Sequence, residues 1–501
     1  MKSPLIYAAF LLAAASVAQA QGRPANWPTS GGDAQRSNWE RTDPRINKDT
    51  AKDLQLLFKM KLDNQTRAAR ALMPPLILGN LISYRGFKEL AFVATNSDIV
   101  YAIDADLGKI FWTKHLEYAS LDPPVYSSSA TCTGGLTATP TMPPPAAGRG
   151  GPPGGPGGPG RGPATAASAQ GGAAAPVAIT VPPAARGPFA AFGQPAVYVI
   201  SSDGRLHRLN TSTGDDTVQP VKVLPSNASI SSLNLVDNTI YAVTSHDCNG
   251  APNAVWAIDL AAEPPKAISY ALTGNGSGSG GVAAGTSGAV YVQTSEKLLA
   301  LNAKDLQLKQ SFDVPGASSE AASPLIFQQG DRELIATSGK DGRLYLVDSD
   351  SVQMASIAAK IGGLASWQEL DGPRWILVSV SGPLRSELKV STVNGPTPNG
   401  CIIAFKLDEQ NGRTVLTPAW ASRDIGSPEP PVIANGVVFA VSGGSRATLY
   451  ALDAATGKEL YSSRNLVTVP AAGTGLTVAN GRVYFGTADG TFYTFGIYQE
   501  H

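Results

Sequence analysis

The chain offers three cysteines, Cys132, Cys248 and Cys401, and four histidines as its most chemically specific side chains. Cys132 sits in Thr-Cys-Thr-Gly-Gly (131–135) and Cys248 in His-Asp-Cys-Asn-Gly (246–250), both rich in turn formers. In an oxidising compartment they could close a disulfide worth about 3 to 4 kcal/mol through loop closure, while two unpaired thiols fit the sequence equally well. Cys401, beside Ile402, Ile403 and Phe405, reads as a small buried apolar residue. His246, Asp247 and Cys248 are adjacent ligand types, but a metal needs three or four converging ligands, and His115, His207 and His501 are distant in sequence. No Cys-x-x-Cys-His, Gly-x-Ser-x-Gly, Walker loop or EF-type carboxylate series occurs. Arg85, Asp98, Asn234, Asp247 and Arg385 fall in or near expected inter-strand loops, where a central site would draw its side chains. For each of them a solvated or turn-capping role is the plainer expectation.

The background to these residues is electrically quiet. Lys plus Arg and Asp plus Glu number 39 each, and charged residues make up only 16% of the chain, so nothing marks it for nucleic acid or an anionic membrane. With 53 Gly, 38 Pro and 43% apolar residues, it promises many turns, a substantial core and no long helices. Residues 1–20 read as a signal peptide: Lys2, an apolar run over 5–17, then Ala18, Gln19 and Ala20 as a small-x-small cleavage site. This predicts a mature chain from Gln21, periplasmic or secreted, without a lipid-anchor cysteine and without a membrane-spanning segment. Residues 142–188 are mostly Pro, Gly and Ala, with Arg149, Arg161 and Arg186 their only charges. Such a stretch buries too little apolar area to offset its ordering entropy, so a disordered insert at a loop tip is expected, with a tether as the functional alternative.

Elsewhere the chain repeats one phrase: a β-run, a polar turn, a second β-run ending in Asp or Asn, a Gly turn, and a third run carrying an aromatic. It is fullest over 90–112 and 436–461, and weaker copies occupy 196–214, 239–259, 289–302, 333–348, 375–420 and 482–496. Eight small antiparallel sheets with exposed edges must stack, and ring closure removes the edges. The last copy lacks its outer run, whereas Leu54 to Leu62 is a strand without partners. Pairing them predicts an all-β, eight-bladed β-propeller of four-stranded blades, closed by the N-terminal strand in the C-terminal blade.

The repeat, best seen at 449–461 and 483–495 and with Trp112, Trp420 and Tyr461 at its aromatic position, resembles that of the pyrroloquinoline-quinone (PQQ) and PQQ-like propeller superfamily. The opening Asn26, Trp27, Gly31, Gly32, Asp33, Trp39 and Asn47 is similar to the segment that begins quinoprotein dehydrogenases. The resemblance implies that these aromatics dock one blade on the next. In its catalytic branch it implies PQQ over Ca²⁺ on the axis, oxidising alcohols or sugars, with an adjacent-cysteine disulfide. In its non-catalytic branch it implies a docking platform without a cofactor. The three cysteines lie far apart, and no ligand trio maps onto the sequence. The expectation is therefore a binding or protein-interaction module for other cell-envelope proteins, with the PQQ- and Ca-dependent oxidoreductase as the alternative; oligomeric state is left open.

Overall fold

The structure is a computed structural model that describes residues 25–64, 72–83, 86–116, 132, 134–144, 195–276, 280–314, 323–339, 341–348, 352–370, 372–410 and 413–498. The expected signal peptide, Arg85 and nearly all of the 142–188 insert lie outside them. The described residues form eight sheets, antiparallel except where Trp39–Glu40 and Ser391–Thr392 add short parallel edges, and no α-helix. In chain order blades 1 to 8 span 76–115, 141–222, 229–271, 283–313, 325–356, 358–421, 432–462, and 471–497 with 54–61. Each holds one copy of the repeat, and the chain is the eight-bladed propeller its sequence predicts. Strands are called a to d from hub to rim.

Burial grades outward. The b strands Ala196–Ile200 and Val437–Val441 are buried at every position, because a blade in a ring has neighbours on both faces. Outer strands such as Leu308–Asp313 are largely exposed and carry the polar residues that guard an edge. Blade 8 closes as the terminal runs require: Leu54–Lys61 pairs antiparallel with Thr491–Ile497, from Leu54 opposite Ile497 to Lys61 opposite Thr491.

Neighbouring blades are fastened by one repeated device. Trp112 and Trp420 lie opposite Ala102 and Ala404, each beside a bulge that turns the outer strand toward the next blade. The Trp112 indole covers Gly214 and donates to Thr211 O (2.9 Å), and Trp420 covers Gly457 and donates to Ala454 O (3.1 Å). These glycines are at φ 77° and 73°, and a Cβ there would lie within 2.7 and 2.4 Å of the indole ring. Tyr461 takes the same place opposite Ala451 and packs, half-buried, in a cluster with Ala51 and Leu54, where the chain ends stand in for a c–d turn. Phe58 of the composite blade does the same on Gly108 of blade 1.

A belt of irregular backbone, residues 25–38, runs through the hub and bonds to all eight blades in turn. Ala25 exchanges bonds with Asn480 of blade 8, Trp27 with Ile77 of blade 1, and Pro28 O accepts from Met142 N ahead of blade 2's b strand. Thr29 Oγ1 donates to Leu233 O of blade 3, and Ala34, Gln35, Ser37 and Asn38 accept from Ala284, Ile326, Ser366 and Ile433 of blades 4 to 7. Met142, where the Pro/Gly/Ala-rich stretch begins, is only 4% exposed and belongs to the core. Cys132 and Cys248 are joined, with Cα atoms 5.5 Å apart, and tie the stretch between blades 1 and 2 to the b–c loop of blade 3. Cys401 is a free, buried thiol that burial pushes up to about 12.

Candidate functional site: the axial cavity

The belt divides the axis. In blades 4 to 8, the residues that line a cavity of about 410 Å³ lie ahead of or early in each a strand, so the cavity opens at the entry ends of the a strands. Its floor is the belt, through Trp27, Ser30, Gly31, Arg36 and Asn38. Its walls are short side chains and backbone, including Gly363, Ser323, Ser381, Ser427 and Pro430. Gly363 is required there, because a Cβ would stand 2.3 Å from Pro430.

Arg36, only 3% exposed, pins the floor. Its guanidinium donates to Val282 O, Thr29 Oγ1, Ser30 O, Ser232 O and Leu233 O, which spends its hydrogen-bonding capacity on neutral acceptors of the belt and blades 3 and 4. Burial pulls it down to about 9 against the opposing pull of Asp33, so it stays charged at neutral pH. Asn38 is likewise committed, its amide donating to Leu364 O at 2.8 Å. The other charged residues of the lining are Lys360 and Glu429.

The sequence candidates are not gathered here. Asp98, fully buried at φ 57°, accepts from Ser202 N (2.7 Å) and braces blade 1 on blade 2. Asn234 donates to Ala34 O (2.9 Å) and Val282 O (3.0 Å), holding the belt. Asp247 is exposed and bonds within its own loop to Asn253 (3.2 Å), beside the disulfide. Arg385 clamps blade 6 to blade 5 through Asp341 O (2.7 Å). These four lie outside the cavity lining. The lining was hidden from sequence reasoning because it is mostly Gly, Ser and Pro; only Trp27 and Gly31, in the opening phrase, offered a signal.

A Ser–His–Asp constellation does occur, in blade 2. Ser201 Oγ is 3.1 Å from His207 Nε2, and His207 Nδ1 is 2.9 Å from Asp216 Oδ1, the connectivity of a hydrolase triad. Ser201 is 1% exposed, however, and its hydroxyl also donates to Asp203. Blade 8 repeats that bond as Thr487 to Asp489 (2.6 Å), so the arrangement is turn fastening in a blade and not a nucleophile open to substrate.

A Ca²⁺–quinone pair needs six to eight oxygens, carboxylates prominent among them, converging on the axis. The cavity supplies one carboxylate, Glu429, with scattered serine hydroxyls. Among the described residues no group of three or more His, Cys, Asp or Glu could hold a metal. The donor set does not fit the pair, and no redox step is derived through it.

Residues 399–497 match the PQQ_2 family, described as outer membrane protein assembly factor BamB. No curated protein matches the chain. Among solved structures it is similar to the quinohemoprotein alcohol dehydrogenase of Comamonas testosteroni, with TM-score 0.54, 14% identity and 96% of this chain on 81% of that one. A europium-containing methanol dehydrogenase gives TM-score 0.57 at 11% identity, over 94% of this chain and 98% of the other. BamB from Moraxella catarrhalis gives TM-score 0.50 at 13% identity, over 88% of this chain and 99% of the other. At such identities the likeness is one of fold. The chain is an eight-bladed β-propeller whose residues 399–497 match the PQQ_2 family.

Proposed function

We propose that this chain is a non-catalytic binding module of the cell envelope, exported through residues 1–20 and cleaved before Gln21, on which other envelope proteins dock. The observation that carries the reading is the donor set of the axial cavity, with Glu429 as its one carboxylate where a Ca²⁺-bound quinone asks for several. The match of residues 399–497 to an assembly-factor family supports it. So do eight blades without a nucleophile open to solvent at the Ser201 constellation.

The second reading, a PQQ- and Ca²⁺-dependent oxidoreductase acting on alcohols or sugars, draws on the wide overlap with the Comamonas alcohol dehydrogenase, 96% of this chain. One experiment separates them. The purified protein is mixed with PQQ and Ca²⁺, and both the quinone absorption of the washed protein and alcohol-dependent dye reduction are recorded. The module reading expects neither retained quinone nor turnover, followed by specific recovery of envelope proteins in a pull-down. Retained quinone with turnover gives the chain to the dehydrogenases.

A further inference from the structure

On the face of the hub opposite the cavity, two arginines are anchored on two bonded serines. Ser366 N donates to Ser37 O at 2.9 Å, joining the a strand of blade 6 to the belt. Arg41 reaches Ser37 Oγ (3.5 Å), pairs with Asp33 (2.9 Å) and lies 4.5 Å over the Trp39 ring, with its side chain 48% exposed. Arg374 donates to Ser366 Oγ (3.3 Å) and lies 5.2 Å over the Phe327 ring. Among the described residues it makes no ion pair and its buried Nε–H has no acceptor.

The counter-charge is already spent or turned away. Asp33 also accepts from Ser37 N (2.9 Å) and Ser37 Oγ. Glu40, 5% exposed, faces Thr42 N (2.7 Å) and Thr42 Oγ1 (2.8 Å). Glu369, in the turn before Arg374, forms no ion pair among the described residues. Burial first, and then the Arg41 charge, lower the Arg374 guanidinium to about 10, as expected of like charges held close with too little compensation. From the same turn Leu370 projects with 92% of its surface exposed.

We infer that Arg41, Arg374 and Leu370 form a docking surface for a partner protein, binding a carboxylate in an acidic segment while an adjacent apolar side chain of that segment covers Leu370. Guanidinium forks match carboxylates through paired N–H bonds, and of the two terminal nitrogens of Arg374 only Nη1 is engaged among the described residues, on Ser366 Oγ. The exposed leucine in the turn that leads into Arg374 favours a peptide over a free anion, which would have no use for it. The inference rests on the binding-module reading and names the chemistry of its partner.

The test uses the mature protein and a fluorescein-labelled peptide of alternating Asp and Leu, with the matching Asn–Leu peptide and inorganic phosphate as comparators, read by fluorescence anisotropy. The Asp–Leu peptide should bind and the Asn–Leu peptide should not. Arg374→Gln and Arg41→Gln should each weaken binding about tenfold, and Leu370→Ser roughly threefold. Raising NaCl to about 0.5 M should weaken binding as the charges are screened. No binding to the wild-type protein, equal binding by the arginine variants, or full displacement of the peptide by millimolar phosphate would overturn the inference. Should Arg374→Gln fail to fold by circular dichroism, the exposed Arg41→Gln carries the test alone. Quinone turnover with intact peptide binding would sink only the module reading; absent peptide binding without quinone retention would sink only the docking surface.

Discussion

Two seams of the ring carry the same carboxylate in different company. Between blades 4 and 5, Glu333 accepts from Thr286 (2.9 Å), Ser287 (2.8 Å) and Tyr291 (3.0 Å), all hydroxyl donors of blade 4. At the closure seam, between blades 8 and 1, Glu89 accepts from Tyr484 (2.8 Å), the counterpart of Tyr291, and pairs with Arg482 at 2.7 Å. Arg482 stands two residues before its tyrosine, where the blade 4 strand has Ala289, and it also reaches Asp106 (2.7 Å). The hydroxyl-lined carboxylate is held below its ordinary range, burial notwithstanding, because Ser287, Thr286 and Tyr291 all favour its charged form. Glu89 is raised, because burial outweighs Arg482 and Tyr484. At an ordinary seam, such as that between blades 4 and 5, every strand of one blade precedes the next blade in the chain; at the seam between blades 8 and 1 only the outer strand, Leu54–Lys61, does so, while the strands that carry Arg482 and Tyr484 come from the other end of the sequence, and there a buried ion pair stands. The difference shows how a repeat protein spends charge where strands from opposite ends of its sequence face each other across a seam.

That comparison breaks most completely if the N-terminal strand is dispensable. Removing residues 25–62 deletes the belt and the outer strand of blade 8 together, and the expected product is unfolded or aggregated by size-exclusion chromatography and circular dichroism. A soluble monomer with a cooperative melt would show that the ring does not close through its ends.

Next in size is Arg482→Met, which leaves Glu89 buried without its cation and should cost about 3–5 kcal/mol in urea unfolding. Adding Glu89→Leu should recover most of that loss, since an apolar pair of similar volume carries no desolvation penalty. A double variant no better than the single one would mean that shape, and not charge, secures the seam.

The smallest effect sharpens the contrast by pH. Glu333 has a folded pKa below its unfolded value, so its contribution is present above about pH 4.5 and fades as pH falls through the folded pKa. Glu89 is shifted the other way, so its contribution is fullest below its unfolded pKa and falls as pH rises through the folded one. Urea midpoints measured from pH 3 to 6 should therefore show less acid sensitivity in Glu333→Gln than in the wild type, and more in Glu89→Gln. Parallel shifts in both variants would refute the opposite signs.

Much of the ring was legible in advance. Alternating runs such as Ala196–Ile200 announce strands because the side-chain period of a strand is two, and the returning Gly turns announce the units. Phe58 on Gly108 was less legible, since its aromatic is not tryptophan and its strand lies more than 400 residues from its partner Thr494. The cavity was scarcely legible at all. Its floor is Arg36, one arginine among many in the sequence, given its part by five acceptors from the belt and from blade residues 232, 233 and 282.

From its sequence alone this protein is a ring of eight sheets closed through its termini, because strand period, turn chemistry and unit count are local properties repeated along the chain. Tertiary structure alone decided the path of the belt, the poverty of carboxylates on the axis, and which arginines meet beneath it. These depend on backbone bonds and charge placements between residues hundreds of positions apart, and main-chain N–H and C=O groups are the same in every residue type but proline, so they leave little mark in the letters.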